Sequence, residues 1–163
     1  EENTYPVRRF AAQKQDLKRQ RFSLMNGLGM IEKIPPVMPN KSFPFAVCTI
    51  IASNYLSRAL VMHDSLKAQH PEMDFWLLVI DDTPLAPPSS EAVERRGIHT
   101  LRTEEIGLPP VEIANFRMAY DLTEISTAFK PWTLQTVIKH TGLHVFYIDP
   151  DIEFFGPMTG LVE

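Results

Sequence analysis

Cysteine is nearly absent from this chain of 163 residues: Cys48 stands alone. One thiol can form neither an internal disulfide nor a thiolate cluster for zinc, and such usage is expected of a protein in the reducing cytosol. Long apolar runs are missing as well. The longest, Phe45 to Ala52, falls far short of the ~18 to 20 residues that span a bilayer. The opening Glu1-Glu2-Asn3-Thr4 has neither the basic start nor the apolar stretch of a secretory signal, and a first residue other than Met leaves room for an upstream segment. There is no internal repeat and no low-complexity segment. His63, His70, His99, His140 and His144 show no metal-ligand spacing and read as surface or core residues.

What is present is a globular composition, 44% apolar and 22% charged. A chain of this length can bury roughly two-thirds of its unfolded surface. The formal charge of -4 hides an asymmetry, because residues 1–40 carry seven Lys/Arg against four Asp/Glu, leaving the remainder at net -7. In the basic stretch Arg8, Arg9, Lys14, Lys18, Arg19 and Arg21 are opposed only by Asp16. It reads as a solvated helix or tail, or as a patch that leans on anionic lipid or on a second copy of the chain. Gly27, Gly29, Pro35, Pro36, Pro39 and Pro44 cannot sustain regular structure, so residues 1–41 are predicted to be an arm and linker and residues 42–163 the domain proper.

From there strands and helices alternate. Phe45–Ala52 is rich in β-branched residues and reads as a strand buried on both faces. Leu56, Ala59, Leu60, Met62 and Leu66 recur at helical spacing over Tyr55–His70, and Pro71 ends that helix. Phe75–Ile80 is a second buried strand, closed by Asp81-Asp82. Ser89 or Ser90 is expected to cap a short helix that stops at Gly97, and Ile98–Leu101 is a third strand. Val111–Leu122 reads as a helical piece with Ile113, Phe116, Met118 and Tyr120 in packing roles. A helix over Lys130–His140 is predicted to start with Pro131 in its first turn and to end at Gly142. The last strand, His144–Ile148, runs directly into Asp149-Pro150-Asp151. The alternation predicts an α/β fold, a Rossmann-like parallel sheet flanked by helices.

Two carboxylates one residue apart, at the carboxyl end of a buried strand, stand in the crevice where open α/β sheets take ligands. Like charges this close call for solvation, hydrogen bonds or a cation. Hard oxygen donors suit Mg²⁺ or Mn²⁺, which retain water and accept phosphate oxygens as further ligands. A turn with both acids in water is the alternative.

Four segments, Ile50-Ile-Ala-Ser-Asn-Tyr55, Leu78-Val-Ile-Asp-Asp82, Thr127-Ala-Phe-Lys-Pro131 and Phe146-Tyr-Ile-Asp-Pro-Asp151, carry a resemblance in their order and spacing. Over about residues 45 to 158 the chain resembles the nucleotide-sugar half of GT-A fold glycosyltransferases. It is most similar to the glycosyltransferase family 8 type and to related bacterial enzymes of surface-glycan assembly. The resemblance implies a GT-A fold that reads as truncated after the strand carrying the acid pair. It implies transfer of a sugar from a nucleotide-diphosphate donor, a UDP-sugar foremost, to a glycan, lipid-linked or protein acceptor. No nucleic-acid partner is expected.

Under the resemblance, Asp149 and Asp151 are the metal-holding pair for Mn²⁺ or Mg²⁺, with Asp151 on the metal directly and Asp149 on ribose or metal. The cation would offset charge developing on the leaving nucleoside diphosphate. Ala52, Ser53, Asn54 and Tyr55 would embrace the base, with Tyr55 stacking on it, and Asp81 and Asp82 would sit beside base or ribose. Lys130 would reach the sugar or diphosphate as a point charge, and Arg58 is a lesser candidate for phosphate contact. Ser53-Asn54 departs from the acidic residue more usual there, which leaves the base preference open; the pair also reads as a helix cap. Cytoplasmic placement, peripheral to the inner face of a membrane through the basic arm, follows as an expectation.

Two other readings stay open. A haloacid-dehalogenase-like phosphotransferase would use Asp149 as nucleophile and Asp151 as general acid, although in that family the nucleophile strand opens the domain. A nucleotide-sugar-binding module without turnover is the third, because the acceptor groove and further metal ligand of a GT-A enzyme would lie beyond Glu163.

Overall fold

The computed structural model describes residues 45–81 and 84–158. The basic arm and linker expected over residues 1–41, and Asp82, lie outside the described residues.

Among the described residues four strands form one parallel sheet: β1 (Phe45–Ile51), β2 (Asp74–Val79), β3 (His99–Arg102) and β4 (His144–Tyr147), in the order β3-β2-β1-β4. Register runs Ile50 to Leu78, Leu78 to Leu101 and Cys48 to Tyr147. Parallel strands need both faces covered, and helices cover both. On one face α1 (Leu56–Gln69) and α2 (Ser89–Glu94) bury Leu56, Met62, Leu66 and Val93 against Val47, Ile51, Phe75 and Leu77. On the other, α3 (Pro110–Ala119) and α4 (Leu122–Thr141) bury Ile113, Phe116, Ile125, Phe129 and Val137 against Cys48, Ile50, Leu78 and Leu101. The architecture is a Rossmann-like α/β fold.

Phe129 is fully buried at the centre of that second layer, edge-on to Phe116 at 5.4 Å. Its truncation to Ala is expected to cost about 3–5 kcal/mol. Cys48 is sealed inside β1, where burial pushes its thiol up to about 12. It is a packing residue. Among the described residues no helix is long and apolar enough to cross a membrane.

Three local expectations are corrected. The long helix does not begin near Lys130: α4 starts eight residues earlier, and Pro131 lies inside it. Asp121 accepts from the Glu124 amide at 2.8 Å while the Glu124 side chain accepts from the Asp121 amide, a reciprocal cap that starts the helix well before the proline. Pro131 and Thr127 are both exposed, so the carbonyl that the proline leaves without its helical donor belongs to a residue on the wet side. Gly142, with φ of 66°, does end the helix as expected.

Neither Ser89 nor Ser90 caps α2. Pro88 holds the cap position, and both serine amides donate to the Ala86 carbonyl, so no side-chain acceptor is needed. Met118, read as a packing residue, is instead 87% exposed on α3.

Candidate functional site

The strand order reverses direction between β1 and β4, and an open parallel sheet leaves a crevice at the carboxyl ends of two such strands. A cleft of about 290 Å³ lies there. Ala52, Asn54 and Tyr55 enter it from the end of β1, and Tyr147, Asp149 and Asp151 from the end of β4. A third wall comes from the first turns of α4, through Leu122, Thr123 and Ser126. Its size is at the lower end of small-molecule sites, which begin near ~300 Å³. A neighbouring hollow of about 330 Å³ shares Pro150 and Asp151 with it and adds Ser57, Arg58 and Glu153. Asp151 therefore borders both.

The chain makes the turn because Asp149-Pro150-Asp151 follows β4 directly, with the Ile152 amide returning to the Asp149 carbonyl at 3.2 Å. Both carboxylates are exposed. Lys130, one helical turn beyond Ser126, sets its ammonium 3.4 Å from Asp149 Oδ1 and 4.1 Å from the centre of the Tyr147 ring. That cation rests on an aromatic face and beside Asp149, behind the cleft wall, since Lys130 does not itself line the cleft. Burial first, and then the negative charge of Asp149, hold the Tyr147 phenol above its usual value. Its hydroxyl remains protonated at neutral pH.

The pair offers only oxygen donors, in a cleft with room for waters and phosphate oxygens, which is the donor set Mg²⁺ or Mn²⁺ takes. Among the described residues no group of three or more His, Cys, Asp or Glu side chains converges to hold a metal. The acid pair fits a cation that is completed by its ligand rather than caged by protein.

Ser53 and Asp81 are used otherwise. The Ser53 amide donates to the Asp81 carboxylate, and the Ile80 amide to the Ile51 carbonyl at 2.9 Å, so the ends of β1 and β2 are tied together. Neither Ser53 nor Asp81 lines the cleft. The capping role considered for Ser53-Asn54 is not seen, since neither the 3₁₀ turn Ser53–Tyr55 nor α1 has a side-chain cap. Asn54 instead faces the cleft. Arg58 lies over the Tyr55 ring at 5.1 Å.

Three cleft features escaped the sequence reading. Tyr147 reads from the sequence only as part of the last strand, and Thr123 and Ser126 fall between the helical pieces expected over Val111–Leu122 and Lys130–His140. The signal for the latter was the Asp121-x-x-Glu124 spacing, which marks a helix start beside the cleft. Three histidines have partners of their own elsewhere: His99 stacks on Trp76 at 4.6 Å, His140 Nδ1 is paired with the Thr136 carbonyl, and His144 lies beside Phe45.

No protein-family model matches this chain, and no curated protein is significantly similar to it in sequence.

Proposed function

We propose that this chain is the donor-binding part of a metal-dependent glycosyltransferase of GT-A type, taking a nucleotide-diphosphate sugar, a UDP-sugar first, with Mn²⁺ or Mg²⁺. The observation that supports this reading most is the cleft at the reversal of strand order, lined at once by Asp149, Asp151, Asn54 and Tyr55. A bound cation would supply charge neutralisation for the diphosphate.

The chain's own residues do the rest. Tyr55 offers a ring face for a base, its other partner being Arg58. Asn54 adds an amide that can both donate and accept. Asp149 and Asp151 hold the cation and repel a diphosphate that arrives without one. Lys130 places a positive charge where negative charge grows as the anomeric C–O bond breaks. Acceptor glycan, lipid or protein, and a cytoplasmic location near a membrane surface, belong to the same proposal.

The test is calorimetric titration of UDP-hexoses with and without Mn²⁺, in the wild type and in D151A. Binding that needs the metal and disappears in the variant supports the reading. Equal affinity without metal contradicts it.

One observation also favours the phosphotransferase reading. The Lys130 ammonium next to Asp149 would suit an aspartyl nucleophile as well as a metal ligand. Against it, β4 is at an edge of the described sheet rather than its centre. Release of phosphate from simple phosphomonoesters, lost in D149N, would decide for it.

A further inference from the structure

After Asp151 the chain leaves the sheet, and no helix or strand follows among the described residues. Its backbone amides therefore need acceptors from elsewhere. Two of them find side chains of α1 and its end. The Phe154 amide donates to Ser65 Oγ at 3.1 Å, and the Met158 amide donates to His70 Nε2 at 2.8 Å.

The two acceptors are set in different ways. Ser65 gives its own hydroxyl hydrogen to the Met62 carbonyl at 2.9 Å, which leaves the oxygen's lone pairs for Phe154. His70 is 1% exposed, and an Nε2 that accepts fixes the neutral ring with its proton on Nδ1. The side chains beside these amides are held too, since Met158 is buried and Phe154 packs against the buried cluster to which Met62, Leu66 and Phe75 belong.

The contacts run in order along the helix. Arg58 and Val61 meet Asp151 and Ile152 around the shared hollow, Ser65 meets Phe154, and His70 meets Met158. Helix α1 also begins directly after Tyr55, which lines the cleft. One rigid element thus sets both the Asn54-Tyr55 wall and the course of the segment that carries the acids.

We infer that Ser65 and His70 are positioning residues for the acid pair: by pinning the segment three and seven residues beyond Asp151, they hold Asp151 at the distance from Tyr55 that a metal-bound nucleoside diphosphate requires. The functional half of this inference rests on the donor-site reading above. Loss of the His70 acceptor leaves a buried amide without a partner, and the segment can regain it only by moving into water.

The test uses H70L, which keeps an apolar volume but removes the acceptor, H70Q, which restores an acceptor at similar reach, and S65A. Two quantities are read on each: Mn²⁺ affinity in the presence of UDP, and hydrogen exchange of amides 149–158 against those of β1 and β2. H70L is expected to weaken Mn²⁺ binding about tenfold or more, as loss of a supporting group around a metal site does, and to speed exchange in 149–158 alone. S65A should do less, and H70Q should recover both readouts.

The inference is overturned if H70L leaves affinity and segment exchange unchanged, if exchange in β1 and β2 rises equally, or if H70Q behaves like H70L. If the wild type binds no Mn²⁺ with UDP, the donor-site reading fails and with it the metal role. The exchange arm then still decides whether the two residues hold the segment, because it needs no ligand.

Discussion

Asp64 and Asp149 both have a basic partner, and the two pairs are built differently. Arg96 grips Asp64 with two parallel bonds, Nε to Oδ1 at 2.8 Å and Nη2 to Oδ2 at 2.9 Å, and His63 Nδ1 adds a third contact at 2.9 Å. The hydrogen bond from Arg96, foremost, holds the Asp64 carboxyl below the usual aspartate range. Asp149 has one ammonium at 3.4 Å and the Tyr147 hydroxyl as a further partner, in a cleft it shares with a second carboxylate. A bidentate pair uses both oxygens and fixes two elements of the fold, here α1 and the end of α2. A carboxylate without such a two-pronged grip, exposed at the rim of a cleft, can still turn a lone pair toward a ligand. Charge alone does not mark a site; unspent bonding capacity facing a crevice does.

The largest expected effect breaks the comparison at the cleft. D151N should reduce Mn²⁺-dependent UDP binding below detection, while D64N leaves it unchanged, both by calorimetry at pH 7. Equal losses would mean that the acids matter only through fold stability. Next, K130M should weaken nucleotide-diphosphate affinity about tenfold, the ~1.4 kcal/mol of one charge-assisted contact, without lowering the melting temperature.

On the other side of the comparison, R96A should leave binding intact and lower stability by about 0.5–1 kcal/mol in urea denaturation, since the pair is partly exposed. The smallest effect is in the pH dependence of that loss. Because the folded value of Asp64 is lowered, its contribution is present above the ordinary value of 3.8 and fades as pH falls through the folded value. The stability gap between wild type and D64N should therefore narrow when unfolding is measured at pH 3 rather than pH 7. A gap that widens in acid would reverse the assignment.

Much of the fold was legible because parallel strands leave a plain apolar record, in the buried β1 and β2 and also in β4. The last of these is corrected from a buried strand to an edge strand of the described sheet, with His144 exposed and residues 145–147 half-buried. Phe45–Ala52, Phe75–Ile80 and His144–Ile148 were readable as strands from apolar runs too short for helices, and each lies within a residue or two of its place. The start of α4 was not, because proline is a stronger local signal than a capping box and Pro131 happened to fall on a solvent-facing turn. The site was legible where chain order sufficed: Asp149, Asp151, Asn54 and Tyr55 meet in one cleft because strand ends meet there. Asp81 shows the limit. Its place at a strand end was readable, but its use as acceptor for the Ser53 amide depends on how β1 and β2 abut, which no spacing in the sequence records.

The most direct measurement is paramagnetic broadening of backbone amide signals when Mn²⁺ is added to the protein with UDP. The expected result is loss of the Asn54, Tyr55, Asp149 and Asp151 resonances, with those of Asp64 and Arg96 retained, and no such loss in D151N. Signals at the cleft that stay sharp while others fade would contradict the assignment of the acid pair as the cation site.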